Sequence, residues 1–218
     1  DYDGWDSLGN DEWEFIKVLP YFRKLETDAD IKDDFHGFDG PIPVRRHKLD
    51  DWLPVQNAFQ QACLEVGFTH DPDMNNPDSG GVGPLPMNNP EGVRMSTALS
   101  YLNPQRHRLN LTIRGGVAVR KIIIKDLKAV GVEAESGGEV FNIEADKVVL
   151  CSGAIKSPHL LMLSGIGHAD QMKEFGITPI HELPGVGNHL WNHLSSHIAF
   201  KVKDGITLSG EADAVHYS

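Results

Sequence analysis

Cysteine is scarce in this chain: Cys63 and Cys151 are the only two in 218 residues. Two thiols cannot build a disulfide framework. Cys63 falls in a helical pattern and Cys151 ends an apolar run, so both are expected as buried free thiols in a reducing, cytoplasmic compartment. Long apolar runs are also missing. None approaches the roughly 18 residues that would span a membrane, and no basic leader followed by an apolar segment suggests a signal peptide. Basic side chains are outnumbered, with 20 Lys and Arg against 31 Asp and Glu. The excess is concentrated in residues 1–40, where twelve acidic side chains face four basic ones. Phosphates need Lys and Arg, so this balance excludes nucleic acid and is read as a solvated acidic face.

Hydrophobic content of 40% and charged content of 23% are those of an ordinary globular chain. Asp11 and Glu14 have capping-box-like spacing ahead of "WEFIKVLPYFRKLE", a helix that Pro20 should kink or divide. Val55, Ala58, Phe59, Ala62, Cys63 and Val66 recur at helical spacing, and Gly67 is a natural stop. Between them, "HGFDGPIPVRR" is turn-rich and leads into an extended segment. Asp71–Gly92 is rich in Pro, Gly and Asn and reads as one long loop, of the length that usually serves a purpose. "RMSTALSYL" gives one short helix.

After Asn110 the texture changes. "VAVRKIIIK", "AVGVEAE", "EVFNIEA" and "KVVLC" are rich in Val and Ile and separated by short turns, a β-meander pattern. The last should be a strand entering a parallel sheet. Ser157 and Pro158 stand where a helix would take its cap and first residue. "ADQMKEF" forms a further helix stopping at Gly176, and "HIAFKVK" reads as a terminal strand.

Histidines at 189, 193 and 197 invite a zinc reading, because four-residue spacing lines ligands along one helix face. The segment supplies no carboxylate or thiol to complete a site and reads as loop, so no metal is expected.

The stretch "GAIKSPHLLMLSGIG", Gly153 to Gly167, resembles the second signature of the glucose–methanol–choline (GMC) oxidoreductases, FAD-dependent alcohol oxidases and dehydrogenases. Gly153, Ala154, Ser157, Pro158, Leu160, Leu161, Ser164, Gly165, Ile166 and Gly167 meet its constrained positions. "DYDGWDSLGN", "LPYFRKLET", "HGFDGPIPV", "GVRMSTALSYLNP" and "LNLTIRGGVAVRKI" are similar to other family segments, so the resemblance covers nearly the whole chain. "LPGVGNHLWNHL" resembles a passage beside the dinucleotide, with His193 matching the family histidine. His189 and Asn192 depart from it, standing where Asn and Asp are usual.

The resemblance implies an α/β fold with an α+β part: a portion of an FAD-binding Rossmann-like domain and a portion of an antiparallel-sheet substrate domain. Residues 1–40 would form the FAD-domain edge, 41–105 and 195–218 parts of the substrate domain, and 106–194 part of the FAD domain. FAD would meet Val119, Ser152, Gly153 and His193; no catalytic residue is assigned. "GGVGPLP", "GIGHAD" and "GVGNHL" each fail as the Gly-rich pyrophosphate turn.

The implied activity is oxidation of a small-molecule alcohol by hydride transfer to flavin, in a protein of which this chain is an internal fragment, inactive alone. The missing N- and C-terminal parts could be supplied as separate chains. A lyase of the same fold, like the family's hydroxynitrile lyases, and a non-catalytic interaction fragment are the alternatives.

Overall fold

The computed structural model describes residues 1–192. They form two compact units, one built on residues 1–111 and the other beginning at Thr112.

The first unit opens with α1 (Tyr2–Asp6) and α2 (Phe15–Leu25). Tyr2, Trp5, Trp13 and Phe22 join them through a chain of edge-to-face ring contacts, centroids 5.2–5.7 Å apart. Pro20 lies inside α2 without dividing it. Asp11 does not cap this helix: Glu14 occupies the N-cap without a side-chain bond. The carboxylate that accepts the Phe15 N–H, at 2.8 Å, is Asp3, brought in by the fold of α1. Strand β1 (Glu26–Asp28) then pairs in parallel with β2 (Ile42–Val44). The intervening turn passes so close that a Cβ on Gly37 would lie 1.9 Å from the Arg23 carbonyl oxygen, which only glycine avoids.

Helix α3 (Pro54–Glu65) begins with proline, and the Gln56 side chain accepts the Leu53 N–H at 2.8 Å. Gly67, at φ +99°, ends it as the spacing predicts. Arg45 and Met87 exchange two backbone hydrogen bonds, of 2.9 and 2.8 Å, that tie the strand region to the end of the long loop. The short helix expected in "RMSTALSYL" is a π-helical turn, Ala98–Leu102, running into α4 (Asn103–Gln105).

The second unit carries the β-meander: β3 (Ala118–Lys125), β4 (Lys128–Ser136) and β5 (Glu139–Glu144), antiparallel in sequence order. Alternation puts Ile122 and Ala134 in its core, with Ala134 fully buried. Helix α5 (Gly153–Leu163) packs on β3. The two are joined by Ser164, whose hydroxyl donates to the Leu160 carbonyl at 2.6 Å and accepts the Ile122 N–H at 2.7 Å. A short parallel pair, β6 (Ile166–Gly167) with β7 (His181–Glu182), and α6 (Ala169–Glu174) complete the unit, with Met172 buried beneath. The α6 helix ends ahead of Gly176.

Three expectations are corrected. Lys147–Cys151 joins no sheet among the described residues. Its side chains still alternate as in a strand: Val148 and Leu150 line an apolar cavity with Ile122 and Leu161, while Val149 is 82% exposed. Val and Ile content sets that alternation, but a ladder also needs a neighbour's backbone, and no described strand lies alongside. The thiols are not buried: Cys63 is half-buried and Cys151 exposed, because the segments holding them present one face to solvent. Helix α5 starts at Gly153 rather than at Pro158. Pro158 gives up one helical bond, and the Ser157 hydroxyl reaches back to accept the Ser152 N–H at 3.2 Å. The strand expected at "HIAFKVK" lies outside the described residues.

Candidate functional site

The first unit encloses a group of charged side chains that no single stretch of sequence announces. Asp28 and His36 are each 1% exposed, and Arg46 and Asp73 are also buried. Strand β1 supplies Glu26 and Asp28, and the turn after it supplies His36. Arg46 follows β2, and Asp73 comes from the long loop. The Arg46 guanidinium donates to both oxygens of Asp28 at 3.0 and 2.9 Å, and its other terminal nitrogen to Asp73. His36 Nε2 meets Asp73 at 2.9 Å, and its Nδ1 meets Glu26 at 3.0 Å and Asp28 at 3.3 Å.

With carboxylates on both ring nitrogens, imidazolium is the favoured form. Burial alone would lower the His36 pKa, but the bonds to Asp73 and Glu26 and the nearby charge of Asp28 raise it above its ordinary value. Burial raises Asp28 and Asp73 as well. The Ile31 N–H and Arg46 at Asp28, and His36 and the Asn75 N–H at Asp73, outweigh that and hold both below the usual carboxylate range. The Ser79 hydroxyl and the Asp73 N–H likewise hold Asp71 low. Glu26, Asp28 and His36 are close enough together to suggest a metal site. Arg46 already occupies Asp28 and Asp73 as a fixed cation, so this is an ion-pair cluster.

The cluster anchors the loop that walls a cavity of about 770 Å³ beside α3. Trp52, Phe59, Phe68, Leu85 and Met87 are among its lining residues, none of which carries a carboxylate, ammonium or guanidinium group. Asp71 shapes the loop by accepting from Ser79 Oγ at 2.6 Å and the Gly80 N–H at 3.1 Å. "GGVGPLP" is explained here: a Cβ on Gly81 would lie 2.3 Å from the Thr69 carbonyl oxygen, and one on Gly83 1.6 Å from that of Asp71. These glycines permit close backbone approach within the loop.

The residues expected at FAD lie in the second unit. Val119 sits on β3 where the register slips: Val119 opposes Ala134 and Lys121 opposes Glu133, leaving Arg120 as the extra residue of a bulge. Ser152 is the N-cap of α5, and its own side chain makes no capping bond. Gly153, at φ +86°, has nothing within 4 Å of where a Cβ would stand. The backbone conformation demands glycine there, and the space in front of the helix start is open. An uncapped helix start with an unobstructed glycine, and a bulge on the strand beneath that helix, fit the approach of a dinucleotide's main-chain-recognised end. His193 and His197 lie outside the described residues, and His189 is exposed.

Comparison with known proteins identifies the family. The sequence profile of the GMC oxidoreductases matches residues 1–195. A GMC-type oxidoreductase of Rhodococcus erythropolis is 44% identical over 193 residues, covering 88% of this chain and 38% of that protein. An oxygen-dependent choline dehydrogenase of Photobacterium profundum is 38% identical over 212 residues, 97% of this chain and 37% of that protein. Among solved structures, pyridoxine 4-oxidase from Mesorbium loti superposes with a TM-score of 0.78 at 31% identity, over 84% of this chain and 36% of that one. An FAD-dependent oxidoreductase from Chaetomium thermophilum gives 0.77 at 28% identity, over 84% and 34% of the two chains. The chain belongs to the GMC oxidoreductase family, a family of FAD-dependent flavoproteins. It spans a little over a third of the length of these relatives.

Proposed function

We propose that this chain is the middle part of an FAD-dependent oxidoreductase acting on a small-molecule alcohol. Residues 106–194 contribute the adenosine side of the flavin site, and residues 1–40 the edge of that domain. Residues 41–105 and 195–218 contribute part of the substrate domain. The observation that carries the reading is the open start of α5, with Ser152 and Gly153 exposed and helix and bulged strand packed together. Val119 would bind through its main chain and Gly153 through its freedom from bulk, with His193 alongside.

FAD, when bound, supplies the hydride acceptor for alcohol oxidation. This chain's residues position and exclude water; the base that takes the alcohol proton is assigned to none of them.

The isolated 218-residue chain is therefore expected to be colourless after purification and to oxidise no alcohol. A positioned general base alone is worth about 10²–10⁴ in rate. A family-length gene product, or a complementing chain, is expected to restore flavin absorbance and turnover together. An absorbance spectrum and an alcohol assay, on material whose mass confirms residues 1–218 alone, test this. A stoichiometrically yellow protein of that mass would show the flavin site to be placed wrongly.

A further inference from the structure

The buried cluster and the apolar cavity of the first unit share one element, the Asp71–Gly83 loop. On one side the loop offers Asp73 to His36 and Arg46. On the other, Met74 and Gly81–Gly83 line the cavity opposite α3. Few other ties hold this stretch to the rest of the unit. The Asp71 N–H donates to the Val82 carbonyl and the Val82 N–H to the Thr69 carbonyl, each at 3.0 Å, so these bonds close the loop on itself. The two charged contacts at Asp73 fasten the closed loop to β1 and to the segment after β2.

Among the described residues, the ionisable groups around His36 come from β1, the turn after it, the segment after β2 and the long loop. Glu26 and Asp28 face it from β1. Asp73 faces it from the loop, and Asp33, whose carboxylate accepts the His36 N–H at 3.2 Å, from the preceding turn. Arg46 lies one residue beyond, bonded to Asp28 and Asp73, and Asp30 accepts the Arg46 N–H. Asp71 stands behind Asp73 and accepts its N–H at 3.0 Å. Carboxylates outnumber cations, so the proton on His36 strengthens the arrangement that Arg46 also holds. A neutral imidazole would keep one ring N–H, leave the other nitrogen lone pair facing a carboxylate, and leave Arg46 alone against the acids.

We propose that His36 is the pin of a proton-dependent latch: the imidazolium, gripping Asp73 together with Arg46, holds the Asp71–Gly83 loop as a wall of the cavity, and loss of that proton weakens the grip and exposes the cavity further. His36 acts here as a positioning residue. The direction follows from linkage. A histidine whose folded pKa is raised contributes stability that is fully present below the unfolded value of about 6.5 and is lost as pH rises through the folded value. The cavity, already half-open, is thus narrower near neutrality and widens on the alkaline side.

The protein carries its own reporter pair. Cys63 lines the cavity, whereas Cys151 is exposed in the other unit. Alkylating the 218-residue chain with iodoacetamide and reading the ratio of the two rates by mass spectrometry cancels the ionisation behaviour common to thiols. The Cys63-to-Cys151 ratio is expected to be flat up to about pH 6.5 and then to rise by at most tenfold per pH unit, the limit for one linked proton. His36→Gln should show the higher ratio already at pH 6, with no rise. Asp73→Asn, which removes one charge partner, should move the midpoint to lower pH.

A ratio flat from pH 6 to 10 in the wild-type chain overturns the latch, as does the same rise in His36→Gln. Should His36→Gln fail to fold by circular dichroism, the imidazole nitrogens of His36 in the wild-type chain can be titrated by NMR. The latch requires their midpoint to coincide with that of the alkylation ratio, and separate midpoints refute it.

Discussion

Arg46 shows what a single residue decides in this protein. Among the described residues its guanidinium is the one permanent cation in a pocket of carboxylates, bidentate to Asp28 and bonded to Asp73. Removing one member of such a buried set leaves uncompensated charge, which typically costs about 3–5 kcal/mol. Arg46→Met is therefore expected to lower the stability of the first unit by that amount in urea denaturation at neutral pH. The acid side follows from Asp28 and Asp73. Both carboxyls have depressed folded pKa values, so their contribution is present above the unfolded value of about 3.9 and lost as pH falls through the folded ones. A stability profile of the wild-type chain should fall below about pH 4, and Asp28→Asn should flatten that fall. The cluster was not legible in the sequence. Asp28, His36, Arg46 and Asp73 lie on four segments, and the acids of residues 1–40 read as a solvated face although Asp28 is 1% exposed.

At the scale of elements, the meander was the clearest sequence signal, because β3, β4 and β5 are rich in Val and Ile and short turns separate them. One hydroxyl bonds α5 to that sheet. Ser164 satisfies the Ile122 N–H on the strand edge, where no neighbouring strand could. Ser164→Ala would leave that buried N–H without a partner, at a cost of about 1–3 kcal/mol, read as a lowered midpoint of the circular dichroism transition. Gly83→Ala is the matching experiment in the long loop. A Cβ there would stand 1.6 Å from the Asp71 carbonyl oxygen, so the loop backbone must move. Amide exchange in residues 71–83 should speed up, with β3–β5 unaffected. The length and Pro and Gly content of that loop announced a purpose, but its closure by Asp71 on Ser79 and Gly80 needed coordinates.

For the whole molecule, the division into two units has a measurable consequence. Residues 1–111 and the unit beginning at Thr112 each have their own internal contacts, and the ion cluster lies wholly in the first. Arg46→Met should therefore lower hydrogen-exchange protection across β1, β2 and α3 while leaving that of β3–β5 as in the wild type. Loss of protection in both units to the same extent would show that they unfold as one. Among the described residues no helix is long and apolar enough to cross a membrane.

Some features of this protein are local enough for the sequence to determine them alone. Residues 153–167 carry the family signature, hydrophobic periodicity places α2, α3 and the meander strands, and Gly67 and Gly176 end helices because both must take positive φ. Those outcomes depend on a few neighbours along the chain. The tertiary structure decided what depends on neighbours in space. Lys147–Cys151 has a strand's side-chain pattern but no described strand to bond. Cys63 borders a cavity instead of a filled core, and Pro158 sits inside α5 instead of at its start. Most of all, it converted scattered acids, one arginine and one histidine into a buried cluster. Charge can be buried only when opposite charge and hydrogen-bond partners arrive together, and that pairing is settled by folding, between Asp28 and Asp73 across 44 residues of intervening chain (29 to 72).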